Sequence, residues 1–173
     1  RTHHGRRQDG GTSLVTIYAW AAALEASPLG EWMRGSALAY PIANVAHLLG
    51  LVLLVGPILL LDLRLLAFGP QFAPPAVSPL LTSWAVAGLG LLIVAGFSMF
   101  AADAGPLLKN PIMQLKLVGI VLGIANAVLF RVLWREHLAD WDQRPPAIGR
   151  LQATLSILIW LCVGTLGRWI AYA

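Results

Sequence analysis

The sequence predicts an all-α membrane protein in which four transmembrane helices form a bundle, preceded by a short interfacial helix. Hydrophobic residues make up 58% of the 173 residues and charged residues only 12%, which is about half the charged share of soluble domains. Long apolar runs alternate with short polar segments. The runs lack the in–out alternation that the strands of a membrane β-barrel need. Lipid is therefore the expected solvent for most of the surface.

The first part of the chain is too polar to span a bilayer. Residues 1–11 are predicted to be a disordered tail. Residues 12–34 have an alanine-rich centre with Tyr18, Trp20 and Trp32. We expect them to form an amphipathic helix that lies along the membrane interface.

Residues 35–173 are predicted to form the four-transmembrane-helix domain. Its first run, residues 35–61, has no charged residue, and a helix of that length covers about 40 Å at 1.5 Å per residue. That is enough to cross a hydrocarbon core of about 30 Å. Prolines and charged residues limit the other runs. The predicted spans are residues 38–66, 80–102, 111–134 and 151–172.

An even number of spans returns the chain to the side where it started, here called side A. The segments after the first and third spans are then on side B. Outside the tail and the membrane interior, side A has Arg34 and Lys109. The arginines of side B are Arg64, Arg131, Arg135, Arg144 and Arg150. Because cytoplasmic loops are the basic ones, we expect side A and both termini to be periplasmic in a bacterial inner membrane.

The charged residues and the cysteine content exclude several classes of function. The net charge is +4, and basic residues beside membrane spans set orientation and contact anionic lipid, so no nucleic-acid partner is expected. The single cysteine, Cys162, excludes an internal disulfide and a cysteine-rich metal cluster. No nucleophile motif, zinc-protease pair or phosphate loop occurs. The sequence does not indicate an enzyme.

His47 is the most suggestive candidate for a binding site, because ionisable residues inside a membrane usually face a cavity, a partner or a cofactor. The three methionines, Met33, Met99 and Met113, all belong to side A in the predicted topology, as His47 does. Thioethers with an imidazole suit Cu(I), and a His/Met pair can ligate haem iron. His47 and Met99 are candidate cofactor ligands, and His47 with the three methionines is a candidate metal site. Alternatively, His47 bonds to a neighbouring helix and the methionines fill gaps in the packing.

Two charged residues, Asp62 and Arg64, end the first span on side B. Residues two apart do not face each other on a helix. Their partners are expected elsewhere at the side-B interface, where Arg131, Arg135 and Glu136 are available. Alternatively, the two residues only fix the depth of the span.

The third span contains two polar residues, Lys116 and Asn126. Lys116 is expected to extend toward the side-A interface, and Asn126 to hydrogen-bond between helices. Gly119, Gly123 and Ala127 fall on one helical face, and a stripe of small residues predicts close packing against another helix.

Several motifs resemble those of an uncharacterised family of bacterial four-helix membrane proteins, a domain of unknown function. They are Tyr40-Pro41, His47-Leu48-Leu49-Gly50, Asp62-Leu63-Arg64-Leu65-Leu66, Asn110-Pro111, Lys116-Leu117 and Asn126. The resemblance covers about residues 15–135 and implies an acid one turn before the histidine, where this chain has Asn44. The third helix is also distantly similar to copper-resistance-D type membrane proteins.

The sparse chemistry and small size favour a non-catalytic small integral-membrane subunit. We expect it to be an accessory component of a larger redox or energy-transducing complex, with membrane lipids and other integral membrane subunits as partners. Two alternatives stay open. One is a b-type haem electron carrier that uses His47. The other is a copper-handling protein that uses His47 with Met99 and Met113.

Overall fold

The computed structural model describes residues 9–170. Within this range every regular element is helical, because helices satisfy their own backbone hydrogen bonds in lipid. The predicted all-α fold class is confirmed. The elements are α1 (Asp9–Glu25), α2 (Pro28–Gly35), α3 (Ala39–Leu65), α4 (Pro74–Ala102), α5 (Ala104–Lys109), α6 (Pro111–Trp134), a 3-10 helix (Arg135–Asp140) and α7 (Ala147–Trp169).

Helices α3, α4, α6 and α7 are long and apolar enough to cross a membrane. They run alternately up and down. End A of the bundle holds α2, α5 and the first turn of α3, and end B holds the 3-10 helix and the first turn of α4. Ends A and B correspond to the predicted sides A and B.

Prolines begin helices in this fold more often than they end them. Helix α4 starts at Pro74, six residues before the expected start at residue 80. Pro74 and Pro75 occupy its first turn, where the missing N–H has no helical partner in any case. Pro79 lies further inside the same helix. Helix α7 likewise begins directly after Pro146 and ends at Trp169.

Residues 12–34 form two helices where the sequence suggested a single one. The chain leaves α1 after Glu25, and the Ser27 Oγ accepts a hydrogen bond from the Gly30 N–H at 3.2 Å to cap α2. Arg34 at the end of α2 donates to the carbonyl oxygen of Ala102 at 2.9 Å and to that of Glu25 at 2.6 Å. These bonds hold α1 and α2 to the end of α4. Residues 1–8 of the expected tail lie outside the described residues.

The four spanning helices pack as two pairs. Helix α3 packs along α4, α6 packs along α7, and α3 and α7 join the pairs. Leu54, Ala85, Trp160 and Val163 form the apolar centre where the pairs meet. Helices α4 and α6 are on opposite flanks and make no extended contact with each other.

Small residues bring the paired helices together. A Cβ on Gly88 of α4 would lie 2.5 Å from the Leu54 backbone nitrogen of α3, so the two backbones touch. The small-residue face of α6 lies against α7, because a Cβ on Gly119 would come within 2.7 Å of a Val163 methyl carbon. Close helix approach of this kind gains van der Waals contact in lipid.

Candidate functional site

His47 lies about 12 Å along α3 from its first residue, at 1.5 Å per residue. Its ring faces Gly96 of α4, where a Cβ would be 3.2 Å from Cε1 and 3.3 Å from Nδ1. The backbone of Leu92, one turn earlier in α4, offers the ring a hydrogen bond. The Nδ1 atom is buried and forms no hydrogen bond of normal geometry with any described residue. A buried polar atom without a partner is costly, so this nitrogen is the main indication of a binding role at end A.

Two of the three methionines lie close to this histidine. Met33 and Met99 pack in one cluster with Ala43 at end A. Ala43 is one turn before His47 on α3, and Met99 is nearly one turn beyond the residue of α4 that faces the imidazole. The structure thus places His47 and Met99 along the contact between α3 and α4, here called the α3–α4 seam, with Met33 of α2 at its end-A limit. Met113 is in the first turn of α6, outside the cluster, where its N–H donates to the Asn110 Oδ1 at 3.3 Å.

The seam is too narrow for a porphyrin. A Cβ on Gly50, one turn from His47, would lie 3.0 Å from the Leu92 backbone nitrogen. A haem between α3 and α4 would have to separate helices whose backbones are in contact. The other described histidine, His137, is in the 3-10 helix at end B, with its ring edge against Trp134 at 5.5 Å between centroids. The two described histidines therefore cannot share one haem.

Lys116 gives end A a second basic group inside the bundle. Its side chain lies over Gly167 of α7, where a Cβ would be 3.4 Å from Nζ. The ammonium group is close enough to the His47 imidazole to interact with it electrostatically. A cation at Nδ1 would be repelled by this ammonium group, whereas an electron-rich group would be attracted.

Asn126 has the interhelical role expected of it. Its Nδ2 donates to the carbonyl oxygen of Gln152 in α7 at 3.1 Å. The Gln152 side chain in turn accepts a hydrogen bond from the Trp134 Nε1 at 2.5 Å. These two bonds tie the second half of α6 to α7.

Arg64 is buried at end B, with 4% of its surface exposed. One guanidinium nitrogen donates to both carboxylate oxygens of Asp142, at 2.8 and 2.6 Å, and Nε donates to the carbonyl oxygen of Phe72. The acidic partner expected for this arginine at the side-B interface is Asp142, and not Glu136. The counter-charge comes from the segment after the 3-10 helix, which folds back over the end of α3.

Trp141 completes this contact. It is 2% exposed, and its Nε1 donates to the carbonyl oxygen of Leu65 at 3.0 Å. Its ring packs against Gly149, which leaves room for it at the start of α7. We call Arg64, Leu65, Phe72, Trp141 and Asp142 the B-end junction. The junction joins the segments that follow α3 and α6 to the end of α3.

Asp62 faces a different neighbour from Arg64. Its carboxyl group is hydrogen-bonded by the Ser156 side chain of α7, and its buried Oδ2 has no partner among the described residues. The expectation of a basic partner for Asp62 is corrected as well, because Ser156 is neutral. The Trp160 Nε1, one turn further along α7, is also buried and unpartnered in this part of the structure.

The polar face of α7 was not predicted from the sequence. Gln152, Ser156 and Trp160 follow each other at intervals of four residues and point inward. The signal was present, since polar residues four apart in an apolar helix share one face. Among the described residues, no group of three or more His, Cys, Asp or Glu side chains could hold a metal ion. A metal at end A would therefore depend on thioether ligands.

Comparison with known proteins places the chain in a family. Residues 18–173 match a family of unknown function, DUF6644. No curated protein matches the chain. No solved structure matches it either. The match includes all four spanning helices and supports the expectation of an uncharacterised family. The chain belongs to the family of unknown function DUF6644.

Proposed function

We propose that this protein is a non-catalytic membrane subunit, an accessory component of a larger redox or energy-transducing complex. The observation that carries the proposal is the exposure of α6. Only 11% of its most apolar stretch is buried, compared with 22 to 33% for the other spanning helices. Helix α6 packs along α7 alone among the spanning helices. A second membrane protein would give α6 the neighbour that the described residues do not supply.

The outer surface suits close helix contact. Val118 and Val121 lie on the outer face of α6, in its first half, and are 55% and 65% exposed. Gly90 of α4 and Gly164 of α7 have open space where a Cβ would be. Glycines on the outside of a membrane helix allow another helix to approach closely.

Photo-crosslinking in native membranes tests the proposal. A photoreactive residue is placed at Val121, which is 65% exposed on α6, or at Val52, which is 67% exposed on α3. We expect Val121 to give a discrete protein adduct and Val52 to give lipid adducts. Lipid adducts from both positions, together with a monodisperse lone chain after mild solubilisation, would contradict the proposed subunit role.

For location, we propose the bacterial cytoplasmic membrane with both termini periplasmic. The excess of arginine at end B, counted outside the N-terminal tail and the membrane interior, supports this orientation. A test uses a chain in which Cys162 is replaced by Ala and a cysteine is introduced at Ala37 or Gln143. In intact cells, a membrane-impermeant maleimide should label the cysteine at position 37 and leave that at 143 unlabelled. The reverse pattern would invert the orientation.

A second candidate function is copper handling. It is favoured by one specific observation, the placement of His47 and Met99 along the α3–α4 seam with Met33 at its end-A limit. These are three of the four predicted metal ligands and suit Cu(I). The proposal ranks second because Lys116 disfavours a cation beside His47. The narrow seam does not favour the haem alternative.

Copper titration of matched variants tests the second candidate. Wild type and Met113→Leu should take up Cu(I) equally in competition with a soluble chelator. His47→Leu and the double variant Met33→Leu/Met99→Leu should lose the uptake, since both remove ligands from the seam. Equal copper in all four proteins would rule out the seam as a copper site.

A further inference from the structure

A groove lies on the outer surface of α6 close to end B. It is lined by Val128, Arg131, Val132, Leu133, Arg135 and Glu136. The first four belong to the second half of α6, and the other two to the start of the 3-10 helix. We call it the α6 groove. It combines charged and apolar side chains where the membrane-spanning segment meets the water boundary.

Its two arginines are free to bind a ligand. Arg131 and Arg135 are exposed and four residues apart, so they lie one above the other on the same face. Neither side chain forms a hydrogen bond or an ion pair with any described residue. Arg64, near the same end of the bundle, is by contrast fully engaged by Asp142 and Phe72. A pair of unengaged guanidinium groups is well suited to a phosphate, which they bind through several parallel hydrogen bonds.

The apolar lining lies toward the membrane interior. Helix α6 runs from end A to end B, so Val128 lies about one turn deeper in the membrane than Arg131, and Val132 about one turn deeper than Arg135. The two valines are 57% and 75% exposed. Each guanidinium group therefore has an apolar side chain on its membrane-interior side, where an acyl chain would lie, and faces the water boundary, where head groups would lie. This order of polarity fits a molecule with a negative head and a hydrocarbon tail.

We propose that the α6 groove binds an anionic phospholipid, with its phosphate on Arg131 and Arg135 and an acyl chain along Val128 and Val132. This inference goes beyond the proposed subunit role, because it requires no partner protein. Glu136 borders the groove and repels the phosphate. The carboxylate would thus limit affinity without determining which lipid binds.

The test uses the purified full chain and measures retained lipid by native mass spectrometry. The probes are phosphatidylglycerol and phosphatidylcholine with identical acyl chains, and inorganic phosphate. We expect wild type to retain phosphatidylglycerol in preference to phosphatidylcholine and to bind phosphate alone weakly. Arg131→Gln/Arg135→Gln should weaken phosphatidylglycerol binding by on the order of tenfold at low salt. Glu136→Gln should strengthen it.

The matched control is Arg144→Gln/Arg150→Gln, which removes the same charge at end B from arginines that do not line the groove. It should retain wild-type binding. Equal losses in the two double variants would mean diffuse surface attraction and would overturn the proposal. So would equal retention of the two lipids, or phosphate binding as strong as lipid binding. All the substituted side chains are exposed, and circular dichroism checks that the helices stay intact.

Discussion

The B-end junction and the α3–α4 seam use polar side chains in opposite ways. At the junction, Arg64 and Trp141 are almost fully buried and their side-chain donors have acceptors in Asp142, Phe72 and Leu65. In the seam, His47 is directed at a glycine and its Nδ1 has no partner of normal geometry among the described residues. The junction thus holds the fold together, whereas the seam maintains an unsatisfied group at a cost.

This difference shows that an ionisable residue in a membrane helix is not by itself a sign of function. Asp62 and Arg64 are only two residues apart, yet Arg64 holds loops together while Asp62 keeps a buried oxygen unpartnered. What separates them is the direction in which each side chain points. Arg64 reaches the segment beyond the 3-10 helix, whereas Asp62 meets the neutral Ser156 of α7.

The largest effect is expected from Asp142→Ala at the B-end junction. It leaves the buried Arg64 guanidinium without its counter-charge. Because 53% of the Asp142 side chain is exposed, solvent reduces the loss below that of a fully buried ion pair, to about 2.5 kcal/mol. The measurement is the free energy of unfolding in detergent by denaturant titration. Asp140→Ala, in the same segment but with its side chain in no described bond, should change it by less than about 0.5 kcal/mol. Equal effects would mean that Arg64 needs no counter-charge.

The next effect concerns the packing that holds the seam closed. Gly88→Ala places a Cβ against the backbone of α3 and should cost about 2 kcal/mol through overpacking. Gly90→Ala, two residues away, meets nothing within 4 Å and should be neutral or slightly stabilising, since glycine is a poor helix former. Thermal unfolding of the two variants gives the comparison. Similar melting temperatures would show that α3 and α4 can separate freely.

A smaller effect is expected where α6 meets α7. Asn126→Leu removes the hydrogen bond to Gln152 and should cost about 0.6 kcal/mol, the average for such bonds between membrane helices. Asn44→Leu is the control, because Asn44 is exposed on α3 and makes no described hydrogen bond. It should lose no stability. A larger loss of stability for Asn44→Leu than for Asn126→Leu would show that the outer face of α3 also packs against another part of the protein.

The smallest effect is expected at His47. Leucine in place of this imidazole should change the free energy of unfolding by less than about 0.5 kcal/mol. The change is small because the loss of the hydrogen bond from the Leu92 backbone is offset by removal of the buried Nδ1, which has no partner of normal geometry among the described residues. Denaturant titrations of His47→Leu and Asp142→Ala under the same conditions measure the contrast directly. A loss as large as that of Asp142→Ala would make His47 a structural residue and remove the contrast between the seam and the junction.

Particular residues show which features the sequence could predict and which it could not. Apolar runs limited by prolines and charged residues predicted the four spans. The stripe of small residues predicted that Gly119 and Gly123 would meet another helix. Such local patterns did not predict that Arg64 pairs with Asp142, because 78 residues separate the two in the sequence. Nor did they show that Met33 joins Met99 while Met113 stays apart, since a topology assigns residues to a side of the membrane but not to a contact.

The sequence by itself determined that the protein is helical and suited to a bilayer. Apolar runs must fold as helices in lipid because each backbone N–H and C=O has to be paired within its own segment. Only the tertiary structure decided which polar groups are paired and which are not. That outcome depends on the rotation of each helix about its axis, which is set by close contacts such as that of Gly88 with the α3 backbone.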